Sequence, residues 1–305
     1  MKNETPIGQG HGMQGRFGGL PDPYGSESFS RIVILPLPFD KTSTYQKGSD
    51  KGPAALIEAS RNMELYDIET ESEVYLQGIY TADAIESDSS EEMLRLTFEK
   101  TKEYLHKNKF VVVIGGEHSI SYAPIKATAE HYGKLTVIQF DAHADLQHSY
   151  ENNPWSHASV MARVKEIPEV TQTIAIGIRS LAKEELPLLN RSHTFFAHEL
   201  LHRKNELYTL IKNIEGPIYI TFDLDVFDCS LMPSTGTPEP GGPDWDFLME
   251  ILQYIFIEKN VVSFDVVELL PEEHNHAPDY VAAKLIYKLL SYKYSKNRDG
   301  KNEHS

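Results

Sequence analysis

Residues 140–149 read FDAHADLQHS and place Asp141, His143 and Asp145 at two-residue intervals directly after the apolar run LTVI. Alternate side chains of an extended strand share a face, so this spacing predicts three polar groups directed into one small space. Neighbouring carboxylates repel, and burying either one unpaired costs on the order of several kcal/mol, so the pattern calls for a compensating cation. Two other segments repeat the theme. GGEHS puts His118 behind two glycines after VVVI, and FDLDVFD puts Asp223 and Asp225 after IYIT. Taken singly, an Asp after a strand is more often a helix cap or an Asx-turn, and one His an ordinary loop residue. Together they offer four carboxylates and two imidazoles. That donor set suits a pair of divalent, oxygen-preferring ions such as Mn²⁺ better than a structural zinc site, which usually draws on cysteine. A shared Asp would hold two such ions about 3.5 to 4 Å apart, and water between them is acidified enough to act as a hydroxide nucleophile.

Positioning these groups requires strands that end side by side. Apolar, β-rich runs occur at Arg31–Phe39, Val111–Gly115, Leu135–Phe140, Thr173–Ile178, Pro217–Phe222 and Val261–Val267, with weaker ones at Gly78–Thr81 and Thr194–Ala197. Amphipathic patterns at Pro53–Met63, Glu91–Lys107, Tyr122–Tyr132, Ala182–Leu189, Asn205–Ile214, Trp245–Ile257 and Tyr280–Tyr292 predict intervening helices. Strand and helix in alternation predict an α/β fold of three layers, a mostly parallel sheet of about eight strands between helices. Ligands of such sheets bind beyond the carboxyl ends of the strands, where all six donors fall. Residues 1–30, rich in Gly, Pro and Ser, predict an irregular N-terminal arm. Residues 31–294 then form a single catalytic domain, and 295–305 a frayed tail.

The 305 residues carry a formal net charge of -16. That balance opposes nucleic acid and anionic membranes and suits a small cationic partner. The single cysteine, Cys229, excludes an intrachain disulfide and fits a reducing cytoplasm. No apolar run approaches the roughly 18 residues of a membrane helix, and the N-terminus lacks an apolar signal core.

GGEHS, DAHADL, TFDLDVFDCSLMPSTGTPEPGG and SFDVVELLPE occur in the order in which the ureohydrolases, the arginase and agmatinase family, carry similar motifs. The resemblance runs from about Thr42 to the last helix, and TSTYQKGSDKGPAALIEAS looks like the family's first loop and helix. It implies one Mn²⁺ held by His118, Asp141, Asp145 and Asp223, and a second by His143, Asp141, Asp223 and Asp225, two ions per subunit. It further implies His157, in WSHAS, as a proton relay, Glu268 as the carboxylate that positions a guanidinium, and Thr237 as a residue lining the site. Cys229 stands where the family usually has proline after FD, which predicts a change in local loop stiffness. Oligomers are usual in the family, which implies a trimer or hexamer.

The resemblance implies hydrolysis of a guanidino compound by a metal-bridging hydroxide. Expelling an amine needs a proton, for which Asp145 and His157 are the candidates. Gln147 replaces the Asn that arginase-like members use beside the last DxHxD aspartate, and SHAS and GTPEPGG, with Glu239, are similar to bacterial and archaeal agmatinases. The expected reaction is agmatine to putrescine and urea. Guanidinobutyrate, guanidinopropionate, formiminoglutamate, guanidine and arginine are the family's alternative substrates. A metallophosphoesterase also begins with DxH but needs GD and GNH motifs that do not follow here, and a non-catalytic metal-binding relative would not be expected to keep His157 and Glu268. His148, His274 and His276 are expected to be exposed loop residues.

Overall fold

The computed structural model describes residues 13–295. Residues 1–12 of the expected arm and 296–305 of the expected tail lie outside the described residues. Eight strands form one sheet: β1 (Ile32–Leu37), β2 (Ile79–Thr81), β3 (Phe110–Gly115), β4 (Leu135–Phe140), β5 (Val170–Ile178), β6 (Thr194–Phe196), β7 (Pro217–Asp223) and β8 (Asn260–Val267). Their order is β2-β1-β3-β8-β7-β4-β5-β6 and every pairing is parallel. Both faces of the sheet are covered. Ile32, Ile34, Val112 and Ile114 join one apolar cluster, while Val33, Leu35, Val111 and Val113 join another, as the two-residue period of a strand demands. Helices α1 (Gly52–Ser60), α5 (Lys204–Lys212), α6 (Trp245–Glu258) and α7 (Ala277–Ser295) pack into the first cluster. On the opposite face, α2 (Ser90–His106) packs into the second cluster, and α3 (Tyr122–Tyr132) with the short α4 (Val160–Val164) into a third. The three-layer α/β architecture expected from the strand and helix alternation is the one observed.

The sheet order decides what meets at its carboxyl edge. Strands β7 and β8, last in the chain, insert between β3 and β4, so β3, β8, β7 and β4 are consecutive neighbours. These four carry GGEHS, VVEL, FDLD and DAHAD at their ends.

Two local expectations are corrected. Residues 182–189 form no α-helix; a 3-10 turn spans Lys183–Leu188 with Pro187 inside it, where a missing N–H and a ring clash forbid regular continuation. The helix α4, five residues long, has no counterpart in the sequence reading because so short a segment carries too little periodicity. Residues 13–30 are irregular, yet Phe17 and Leu20 are fully buried, and Phe17 N–H donates to Thr81 Oγ1 at 2.8 Å, close to the outer strand β2.

Candidate active site

The chain leaves β3 into Gly116, where a Cβ would meet the carbonyl oxygen of Phe39 at 1.9 Å, so only glycine permits this approach of backbone to backbone. His118 follows, 1% exposed. Its Nδ1 lies 3.1 Å from Asp141 Oδ2, 3.0 Å from Asp145 Oδ2 and 3.4 Å from Asp223 Oδ2, without hydrogen-bond geometry to any of them. Its Nε2 lies 2.8 Å from Thr221 Oγ1, and that hydroxyl donates at 2.8 Å to Asp265 Oδ1, whose other oxygen accepts from Tyr219 OH at 2.8 Å. This buried chain under the sheet edge orients the imidazole with Nδ1 toward the carboxylates, as metal-ligating histidines are usually oriented through their second nitrogen.

The strand geometry expected for DAHAD is not what brings its side chains together. β4 ends at Phe140, and the backbone then turns. Asp141 Oδ1 accepts His143 N–H at 2.6 Å, Asp225 Oδ1 accepts Ala142 N–H at 3.0 Å, and Asp145 adopts a left-handed φ of 52°. An Asp tolerates this conformation better than a branched residue does. The turn gathers the three side chains where simple alternation would have spread them along about 13 Å of strand. Gln139 holds the arrangement from below, donating to Asp141 Oδ2 at 2.8 Å and to the His143 carbonyl at 3.1 Å. His143 Nδ1 sits 2.8 Å from Asp225 Oδ2, and Asp223 Oδ1 accepts Asp225 N–H at 2.8 Å.

Among the described residues, two groups of donor atoms are compact enough to hold an ion: His118 with Asp141 and Asp145, and Asp141 with His143 and Asp225. Asp141 belongs to both. Asp223 closes on the first group through the 3.4 Å approach of its Oδ2 to His118 Nδ1. The electrostatics describe a cage of one sign. Burial, reinforced by Asp145 and Asp225, raises the Asp141 carboxyl to about 7, and burial with Asp225 and Asp141 nearby pushes Asp223 well above the carboxylate range. Burial works against charge on His143, but the facing Asp225 outweighs it and lifts the imidazole to about 10, while His143 in turn holds Asp225 down at about 2. Protons gather here because negative charge is crowded out of water. Divalent cations answer the same need, and the unpartnered His118 Nδ1 facing three carboxylates has the orientation of a ligand, so these residues fit a metal pair.

Glu268 directly follows β8 with a left-handed φ of 66°, accepts His118 N–H at 2.6 Å through Oε1, and is 8% exposed. Burial first, then Glu117, raise its carboxyl well above the usual range. It lines a cleft together with His118, His143, Asp145, His157, Gln147 and Thr237, so the candidate metal, relay and substrate-lining residues meet at one site. His148 pairs with Arg163 at 3.0 Å and His276 with Asp279 at 3.2 Å; neither these nor His274 belongs to a metal-sized group among the described residues. Cys229 follows Asp228, which accepts Ser230 N–H at 3.0 Å, Ser230 Oγ–H at 2.6 Å and Gly241 N–H at 2.7 Å, a set of ties that orders this loop without proline.

Several contributors escaped the sequence reading. Arg179 donates to the carbonyls of Gly177, Asp225, Val226, Phe227 and Glu239, pinning the FDLDVF and GTPEP loops together. Thr42 contacts His157 and is itself held by Glu117, and Tyr150 packs its ring edge-on against that histidine with centroids 5.6 Å apart. No regular spacing marks any of these.

Four adjacent strand ends of a parallel sheet, with a buried acidic and imidazole cage at them, define an α/β protein with a candidate two-metal centre. The family model for the arginase family matches residues 30–291, and the chain belongs to that family. The N(1)-aminopropylagmatine ureohydrolase of Synechocystis is 34% identical over 273 residues, covering 86% of this chain and 88% of that protein. The agmatinase of Pyrococcus horikoshii is 31% identical, covering 85% of this chain and 90% of its own. Among solved structures, the agmatine ureohydrolase of Thermoplasma volcanium superposes with a TM-score of 0.82 at 25% identity, over 91% of this chain and 95% of that one. The protein is a hydrolase of this family, and no helix among the described residues is long and apolar enough to cross a membrane.

Proposed function

We propose that the protein hydrolyses a cationic guanidino compound, agmatine in first place, to an amine and urea with two Mn²⁺ ions per subunit. The observation that carries this reading is the buried Glu268 carboxylate beside the six-donor cage, both opening on one cleft. A carboxylate in that position is costly until a cation meets it, and a planar guanidinium offers two N–H groups to its free oxygen edge. His118, Asp141, Asp145 and Asp223 would hold one ion, and His143, Asp141, Asp223 and Asp225 the other. When bound, the pair supplies an acidified water as nucleophile beside the substrate carbon. Asp145 would take up a proton from that water, and His157 at the cleft mouth would hand one to the departing amine, which leaves poorly without it. Thr237 and Gln147 line the path of the substrate's tail.

A longer substrate is the second reading, favoured by the relatives named N(1)-aminopropylagmatine ureohydrolase at 31 to 34% identity. Tyr45, 74% exposed at the rim, leaves the mouth open to an extended polyamine tail. Urea release from agmatine, N1-aminopropylagmatine, guanidinobutyrate and arginine tests both readings. Either amine-tailed compound is expected to exceed arginine in kcat/KM by at least about tenfold, a difference of about 1.4 kcal/mol. Faster turnover of arginine would overturn the assignment. Assembly as a trimer or hexamer in the cytoplasm belongs to the same proposal, on family analogy alone.

The pKa shifts set a second expectation. Asp141, raised to about 7, disfavours the metal-free fold increasingly as pH climbs from its unfolded value near 4 to 7, since its carboxylate form is unwelcome in the cage. His143, raised to about 10, stabilises that fold below about 6.5 and loses this effect as pH rises toward 10. Both protonated forms compete with metal. The rise in melting temperature on adding Mn²⁺ is therefore expected to grow from pH 6 to pH 8. Thermal unfolding with and without metal at each pH checks this, and a shrinking increment would contradict it.

A further inference from the structure

The loop after β1 reaches under the cleft wall to a carboxylate that the metal cage does not use. Glu117 is fully buried, and its Oε2 accepts the backbone N–H groups of Thr42 at 2.6 Å and Ser43 at 3.0 Å. Its Oε1 accepts Thr42 Oγ1 at 2.7 Å and Ser119 Oγ at 2.6 Å. The Thr42 hydroxyl also accepts the backbone N–H of His157 at 3.0 Å and lies 3.1 Å from His157 Nδ1. A hydroxyl has one proton and two lone pairs. The proton goes to Glu117, because a carboxylate can only accept. One lone pair takes His157 N–H, so the other is left to face Nδ1, and that nitrogen must carry the hydrogen of a neutral imidazole. Nε2 is then the atom with a free lone pair in the cleft that His157 lines.

We propose that Thr42, oriented by Glu117, is a positioning residue that fixes the ring and tautomer of His157 so that Nε2 exchanges protons at the cleft mouth. The inference rests on the guanidine-hydrolysis reading of the site. It makes Glu117→Gln informative. Two backbone N–H groups at the Oε2 position can only donate, so they require the amide oxygen there, and the amide nitrogen then faces Thr42 Oγ1. Accepting from that nitrogen and from His157 N–H, the hydroxyl turns its proton to Nδ1 and switches His157 to the tautomer protonated on Nε2, where no lone pair remains. A wrong tautomer costs about 10⁴-fold in a buried catalytic triad; at a solvent-open mouth, where water substitutes in part, the expected loss is about 10- to 100-fold.

The experiment compares kcat, KM and bound metal for the wild type, Thr42→Ser, Thr42→Val and Glu117→Gln, with agmatine and N1-aminopropylagmatine as substrates. Thr42→Ser keeps the hydroxyl and is expected to stay within about threefold of wild-type kcat, whereas Thr42→Val and Glu117→Gln lose about 10- to 100-fold. KM and metal stoichiometry are expected to hold. Undiminished kcat in Thr42→Val, equal impairment in Thr42→Ser, a loss confined to KM, or a loss of metal would each overturn the proposal while leaving wild-type turnover intact. A wild type that releases no urea from either compound would instead overturn the activity reading and this inference with it.

Discussion

Asp141→Ala is expected to strip both metal positions and lower urea production by at least about 10³-fold, since even the outer partners of a metal ligand are worth about 10- to 100-fold. The reason is geometric. Asp141 is the one residue common to both compact donor groups, with Oδ2 3.1 Å from His118 Nδ1 and Oδ1 3.7 Å from His143 Nδ1. Asp225→Ala and Asp145→Ala each touch only one of those groups. Metal analysis of the purified variants should therefore give two ions for the wild type, close to none for Asp141→Ala, and an intermediate value for the other two. Two retained equivalents in Asp141→Ala would remove the shared-ligand account. The fold should survive the change, because Asp141 and its acidic neighbours repel in the metal-free chain, and losing one carboxylate relieves that repulsion.

Glu268→Gln is expected to lower kcat/KM by about 10²- to 10³-fold, with metal content unchanged, since truncating one member of a buried, hydrogen-bonded charge pair costs about 2 to 5 kcal/mol. Glutamine preserves the volume and the acceptor for His118 N–H, which donates at 2.6 Å to Oε1. That backbone donor commits the amide oxygen to its side. The amide nitrogen then occupies the Oε2 position, which lies 3.8 Å from where a Cβ on Gly236 would stand. A guanidinium approaching from there would meet N–H groups instead of a carboxylate oxygen. Steady-state kinetics with metal-replete protein decides the matter. A variant with wild-type kcat/KM would show that the cation is recognised elsewhere, and a variant that also loses metal would show Glu268 to be structural support for His118.

Legibility in the sequence followed the range of the interactions concerned. The alternation of apolar runs and amphipathic segments is a local signal, and seven of the eight strands begin within two residues of their expected starts, from β1 at Ile32 to β8 at Asn260. The failures were also local. Pro187 broke a pattern that otherwise looked helical, and α4 was too short to show a period. For DAHAD the strand geometry was misread, because alternation along a strand and a turn stabilised by the Asp141 carboxylate both direct acidic groups inward, and only the hydrogen bonds distinguish them.

Residue types and their places at strand ends are written in the chain, so the six acidic and imidazole candidates could be named from the sequence, and the family resemblance added Glu268 and the candidate relay His157. The tertiary structure alone decided which strand ends are neighbours, because the insertion of β7 and β8 between β3 and β4 depends on pairings between residues far apart in the chain, such as Val111 with Ser263 and Thr136 with Ile218. It alone also revealed the supports: Gln139 under Asp141, the Asp265–Thr221 chain behind His118, Arg179 beneath two loops, and Glu117 with Thr42 behind His157. Such partners satisfy particular donors and acceptors at a distance, and a hydrogen bond between residues 75 or 115 positions apart leaves no periodic trace in the order of amino acids.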